Sequence, residues 1–434
     1  MRKSIFLFLL FLPGFIIAQN NGLLSYQQAV AIALKNNFDI LIAANQAEIL
    51  NKENQLGNAG FFPTLDFNAS GNAASNTTRQ EFANGQTVNR PGVISTNISA
   101  GAFLSYTVFD GWKMFATKER LRLLAEQGEL SFKLQIETVI ENLTLAYYQI
   151  VRQEQLIRGI RSAMEVSEER IQLAEKKLQI GSGSKVEVLQ GKLDLNAQKA
   201  NLIQQQNLLR EFRQNLLLLM QSDSKGPFSV DSNFVFDPLE AMDDIQSRVE
   251  RNNRNLLSLQ KGISIIRQQQ REIKSQQYPR LVINNGYAFG RNQSTAGFAL
   301  FNQNIGNNLG FVFTWNIFNG WNTRRQLLVA DLQLKQKNLE VDQMKASLFT
   351  AVDIAYMRWL GDREALSLEE ANILLAEQSL FIMRERMKLG LGNYLELKES
   401  QSSYEAAISR LVTARYNLKE SETKLKRITG KFVD

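Results

Sequence analysis

Glu396 and Glu399 lie three positions apart, which puts both on one face of any helix that carries them. Carboxylates paired in this way could do acid-base work, but no nucleophile constellation or pocket-forming segment accompanies them, which argues against an enzyme. The 434 residues contain no histidine and no cysteine. Metal sites of the His/Cys kind and histidine-based acid-base or triad chemistry are therefore ruled out, and no metal or cofactor is expected. The lack of cysteine fits a disulfide-free exported protein and leaves no acylated N-terminal cysteine as a lipid anchor. Lys and Arg are spread among Glu and Asp along helical text, with no basic block interleaved with aromatics, so nucleic acid is not an expected partner. Met164 and Met387 fall in apolar heptads and read as core.

The elements that must hold these residues come as one unit used twice. Phe109-Asp110-Gly111-Trp112 recurs as Phe318-Asn319-Gly320-Trp321, and at the same separation of 209, Ala146-Tyr147 falls on Ala355-Tyr356. Such a fixed-period match marks a repeated supersecondary unit. Before it, Arg2 and Lys3, an apolar run from Ile5 to Ile17 and then Ala18-Gln19 have the form of a secretory signal peptide. We assign it to residues 1–18; its removal lowers the formal charge from +7 to about +5. No apolar run reaches the ~20 residues a spanning helix needs.

From Leu23 to about Gly60 the text reads as helix, ended by Phe61-Phe62-Pro63. The period then becomes 2. From Thr64 to Ala73 odd-numbered residues are apolar or small and even-numbered ones polar; after a polar loop (77–92), Ile98, Ala100, Ala102, Leu104, Tyr106 and Val108 share one face. About 9 to 11 tilted residues cross a bilayer as a strand, so these runs are long enough either to line a soluble core or to face lipid. Aromatics at the strand ends (Phe61, Phe62, Phe109, Trp112), together with the signal peptide, favour lipid. In the second repeat Tyr278-Pro279 answers Phe62-Pro63 and Trp321 answers Trp112, so Phe62, Trp112, Tyr278 and Trp321 are the expected membrane-interface anchors.

Beyond each strand pair runs a long helix with apolar residues every seventh position: Ile136, Leu143, Ile150, Ile157, Met164, Ile171 and Leu178 in the first, Val352 through Met387 in the second. This is coiled-coil spacing over a helix on the order of 100 Å. Each helix breaks at a glycine turn, Gly181-Ser182-Gly183-Ser184 or Gly390-Leu391-Gly392-Asn393, and returns antiparallel. The expected layout is a first repeat at 19–221 (helix, β-hairpin 64–109, helical hairpin with its tip at 181–184) and a non-helical equatorial joint at 222–238. The second repeat follows at 239–434, with β-hairpin 280–318 and tip 390–393. Four strands cannot close a barrel, and open edges do not survive in hydrocarbon, so the barrel must be shared between chains.

In these respects the sequence resembles the TolC-like outer membrane channels of Gram-negative bacteria over nearly all of its mature length. The likeness rests on the duplication, the two Gly-Trp strand exits, the tips Ile180-Gly181-Ser182-Gly183 and Leu389-Gly390-Leu391-Gly392, and Tyr394-Leu395-Glu396-Leu397-Lys398-Glu399 leading to Ala414-Arg415-Tyr416-Asn417. It implies an α+β membrane protein: a homotrimer whose twelve-stranded outer-membrane β-barrel, four strands per chain, continues into a periplasmic α-helical coiled-coil barrel. It also implies a periplasmic adaptor protein and an inner-membrane transporter as partners. By the same resemblance Glu396 and Glu399 stand where such channels ring the closed aperture with acids, which would favour cations. The first repeat offers Glu187 but Gln190 at the matching places, so the ring need not be sixfold. Gly181, Ser182, Gly183, Gly390, Leu391 and Gly392 match adaptor-docking tips. An efflux exit duct is the leading expectation and a type I protein-secretion duct the alternative. A trimeric coiled-coil adhesin is disfavoured, because it would not repeat the strand pair.

Overall fold

The computed structural model describes residues 23–222, 228–238, 241–296 and 299–432; the expected signal peptide lies outside them. In chain order the elements are β1 (Leu23–Leu24), α1 (Tyr26–Asn36), α2 (Phe38–Glu53), β2 (Thr64–Glu81), β3 (Thr87–Phe109), α3 (Lys113–Gln179) and α4 (Lys185–Met220). Then follow β4 (Ser229–Val230), α5 (Met242–Asn252), α6 (Arg254–Ser275), β5 (Arg280–Ser294), β6 (Phe301–Thr314), α7 (Asn322–Lys388) and α8 (Tyr394–Ile428). They form two compact units. The first takes the chain up to Ile40, Glu137–Met242 and Asp353–Arg427; the second takes Leu41–Ile136, Asp243–Val352 and the chain from Ile428.

The second unit holds one antiparallel sheet in the order β2-β3-β5-β6, so the two hairpins join through β3 and β5. The polar stretch expected as a loop at 77–92 is mostly strand, and the turn shrinks to residues 82–86. Backbone pairing needs no apolar side chain, and the awkward residues are absorbed by a register shift: Asn76 pairs with Val93 and Thr78 with Arg90, which leaves Pro91 and Gly92 in a bulge. At the other end β6 stops at Thr314, short of the expected 318. There the Trp315 indole N–H donates to the Gln277 carbonyl at 3.1 Å.

Among the described residues, nothing covers the apolar face of the sheet. Every residue of β6 is exposed, and the apolar face shows Leu65, Phe67, Leu309 and Phe311 each at least 70% accessible. A soluble sheet would hide such a face under another layer. The outer edges of β2 and β6 also have no strand partner among the described residues.

The helix expected from Leu23 to Gly60 is instead a short strand and two helices, broken at Asn37. The side chain of Asn37 explains the break: its carboxamide oxygen accepts from the N–H groups of Asp39 and Ile40, while its amide donates to the Leu219 carbonyl at 2.8 Å, where α4 ends. Asn253 does the same in the second repeat, accepting from Leu256 and donating to Ile428 at 2.9 Å. Both asparagines are buried, at 4% and 6% exposure. We expect Asn37→Ala to cost about 1–3 kcal/mol, because it strips an N-cap and leaves a helix-end carbonyl unpaired. Asn37→Asp keeps the cap but not the amide donor, so its thermal midpoint in detergent should fall between those of alanine and the parent.

In the first unit the heptad residues make the core: Leu143 and Ile150 of α3 are fully buried, as are Trp359, Leu366, Leu380 and Met387 of α7 to within 7%. The stripe frays at the turn, where Leu178 is 39% exposed, and Met164 is half-buried. The described part of the joint is strapped down. β4 pairs in parallel with β1, and the Tyr147 hydroxyl donates to Leu24 O at 2.9 Å and accepts from Asp231 N at 3.1 Å. Burial pushes the Tyr147 phenol up to about 12. Phe234 stacks on Tyr148, and Lys419 donates to the Val235 carbonyl at 2.6 Å.

Candidate functional site

The two tips are built alike from backbone needs. Gly181 and Gly390 take φ of 77° and 75°, the left-handed cap in which glycine carries no Cβ penalty. After each, a residue closes the turn backwards: Ser182 N–H donates to Lys177 O and Leu391 N–H to Arg386 O, both at 2.9 Å. The second glycine of each tip is needed for close approach, since a Cβ on Gly183 would stand 2.8 Å from Leu178 N and one on Gly392 3.0 Å from Met387 N. The return helices start on side-chain caps, Ser184 to Val186 N and Asn393 to Leu395 N. Around these polar turns Ile180, Leu389 and Leu391 are 70–79% exposed.

Glu396 and Glu399 open α8 and are both exposed, while Leu397 and Ser400 beside them are buried. Glu396 meets Arg386 at 3.8 Å with both side chains nearly half accessible, an exposed pair that water screens heavily. Glu187 lies near Tyr394, the first residue of α8.

Between α3, α4 and α8 sits a polar tie that the apolar period did not signal. Arg170, its side chain 2% exposed, donates to Asp194 at 2.9 Å and lies 4.8 Å over the Tyr394 ring. Asp194 also accepts from Lys398 and from Gln190, each at 3.0 Å. Burial pulls the Asp194 carboxyl up, but the bonds from Lys398 and Gln190 and the charge of Arg170 hold it below the usual aspartate range. A depressed folded pKa contributes stability that is present above the unfolded value and lost as pH falls through the folded one. Asp194→Asn should therefore flatten the acid limb, below about pH 4, of a plot of thermal midpoint against pH.

At the sheet's base the two Gly-Trp exits carry unusual backbone. Trp112 and Trp321 themselves adopt positive φ, 71° and 63°, each following a positive-φ glycine. Non-glycine residues in this region cost of order 1–3 kcal/mol and persist only where the surroundings fix them. The result turns both indoles outward, 63% and 64% exposed. Trp112 touches Phe109 and Phe115, and Phe115 touches Phe61; Trp321 packs edge-on to Phe318 and takes Arg324 over its ring at 5.6 Å. Phe62 and Tyr278 are likewise 61% and 48% exposed.

Residues 29–220 and 246–431 match the family model described as outer membrane efflux protein, one block for each repeat. A curated relative, the outer membrane efflux protein BepC of Brucella suis, is 24% identical over 186 residues; that match spans 42% of this chain and 39% of BepC. Among solved structures, the outer-membrane channel OprN is similar with a TM-score of 0.76 at 16% identity, covering 93% of this chain and 89% of that one. The outer membrane channel CmeC of Campylobacter jejuni aligns with a TM-score of 0.75 at 17% identity over 93% and 85% of the two chains. With both repeats matched and the fold shared, the chain belongs to the outer membrane efflux protein family, the TolC-like channels.

Proposed function

We propose that the chain is the outer-membrane exit duct of a tripartite efflux pump, passing small molecules across the periplasm and outer membrane of a Gram-negative bacterium. The observation that carries this reading is a sheet whose apolar face is uncovered and whose two edges are unpaired among the described residues. In hydrocarbon both faults are cured at once if three copies pair edge to edge into twelve strands, with the apolar face to lipid and the polar face around a lumen. Trp112, Trp321, Phe62 and Tyr278, exposed at the base of that face, fit an interfacial belt. The exposed apolar residues at both glycine turns offer a periplasmic adaptor a surface to grip, and through it an inner-membrane transporter. Glu396 and Glu399, exposed on each chain, would face the axis in threes and favour cations.

Single-channel recording in planar bilayers tests this. The parent should conduct with cation selectivity, and the Glu396→Gln, Glu399→Gln double variant should lose much of that selectivity. Unchanged selectivity in the double variant removes the acids from the aperture.

A further inference from the structure

Over five successive rows of the register, from Thr64 to Asn72 on β2, the polar face of the sheet carries Asn, Ser, Thr, Gly and Ala apart from two side chains. One row places an asparagine on every strand: Asn72, Asn97, Asn292 and Asn302. The two exceptions are Asp66 and Phe103, and they are direct partners across β2 and β3, which puts their Cβ atoms about 4.5–5.5 Å apart.

Phe103 lies down on the sheet. A Cβ on Gly101 would be 3.0 Å from ring atoms Cε2 and Cζ, and one on Gly286 would be 2.8 Å from Cδ1, so the ring fills the space of two missing side chains on neighbouring strands. Both glycines are buried beneath it, yet the ring remains 42% exposed. An aromatic is out of place on a face of amides and hydroxyls, where the one other apolar side chain in these five rows is the small Ala288. Beside it Asp66 is exposed, with a single negative charge in otherwise neutral surroundings.

We infer that Asp66 and Phe103 form a contact site for organic cations with an aromatic or apolar body. An open π-face and an adjacent carboxylate attract such a molecule by cation–π and Coulomb terms together, while the neutral amide rows above and below compete for neither feature. This rests on the channel reading, which puts the polar face on the lumen and three copies of the pair around it. The site would hold passing cargo weakly, as a step along the duct.

Tetraphenylphosphonium, added on the side of the hairpin turns, should block the parent's current at lower concentration than tetraphenylborate does. Asp66→Asn and Phe103→Leu should each raise the half-blocking concentration of the cation about two- to five-fold. Phe103→Leu keeps an apolar cover over the glycines, so a ring that serves only to cover them predicts no change in block. Asp66→Glu and Phe103→Tyr should block like the parent, which separates loss of the site from poor assembly. Equal block in the parent, Asp66→Asn and Phe103→Leu overturns the site alone. A parent that carries no current overturns the channel reading and the site with it.

Discussion

Gly111→Ala should destabilise the protein by about 2–4 kcal/mol, whereas the same change at the matching position, Gly320→Ala, should cost about 1 kcal/mol. Both glycines hold positive φ, 71° and 65°, so both variants carry the left-handed penalty. Their surroundings differ. A Cβ on Gly111 would stand 2.4 Å from the Ser275 carbonyl oxygen and 2.9 Å from Tyr278 Cβ, and the first of these is backbone that can yield only by moving the end of α6. Around Gly320 the nearest atom is Asn322 Nδ2 at 4.0 Å, the tip of a flexible side chain. The repeated motif is thus a shared backbone conformation with one tightly packed copy and one open copy. Thermal midpoints of the two purified variants in detergent check the difference, and their level in outer-membrane fractions should follow the same order.

That asymmetry shows what a sequence exposes and what it leaves unsaid. The repeated Gly-Trp pair announced the strand exits because glycine takes φ above zero without a Cβ penalty, and the sevens from Leu143 to Ile157 announced the core because burial follows helix period. Both are local signals. Asn36-Asn37 recurs in the sequence as Asn252-Asn253, but the work of the second asparagine of each pair, stopping one helix while capping another's end, joins Asn37 to Leu219 and Asn253 to Ile428. The pairing of β3 with β5, and the Arg170, Asp194 and Lys398 tie, likewise join positions far apart in the chain. Periodicity tells which face is buried, and says nothing about which polar group across a fold will answer a buried arginine. The polar stretch at 77–92 misled for the related reason that strand pairing is a backbone property, indifferent to whether Arg79 and Asn89 are greasy.

Leu309→Arg should abolish insertion and assembly, while Asn308→Arg, one residue away, should leave both intact. The two side chains point to opposite faces of β6, and in the chain itself both are exposed, Leu309 at 70%. A sheet standing in water would therefore tolerate either arginine equally. In a barrel Leu309 sits near the middle of the apolar belt, between Phe313 and Ile305 on its face, where an arginine turned to lipid costs about 2–4 kcal/mol per chain. If three chains close one barrel, as proposed, the penalty is counted three times, about 6–12 kcal/mol per assembly, enough to prevent closure. In the same proposed barrel Asn308 would turn to the lumen, where water would solvate an added guanidinium and the expected consequence is electrical: a weaker preference for cations in a channel that still forms. Heat-modifiable trimer on unboiled gels and recovery from outer-membrane fractions read the first effect, and reversal potential in a salt gradient reads the second. Equal recovery of the two variants would remove lipid from the apolar face, and with it the need for several copies to close the sheet.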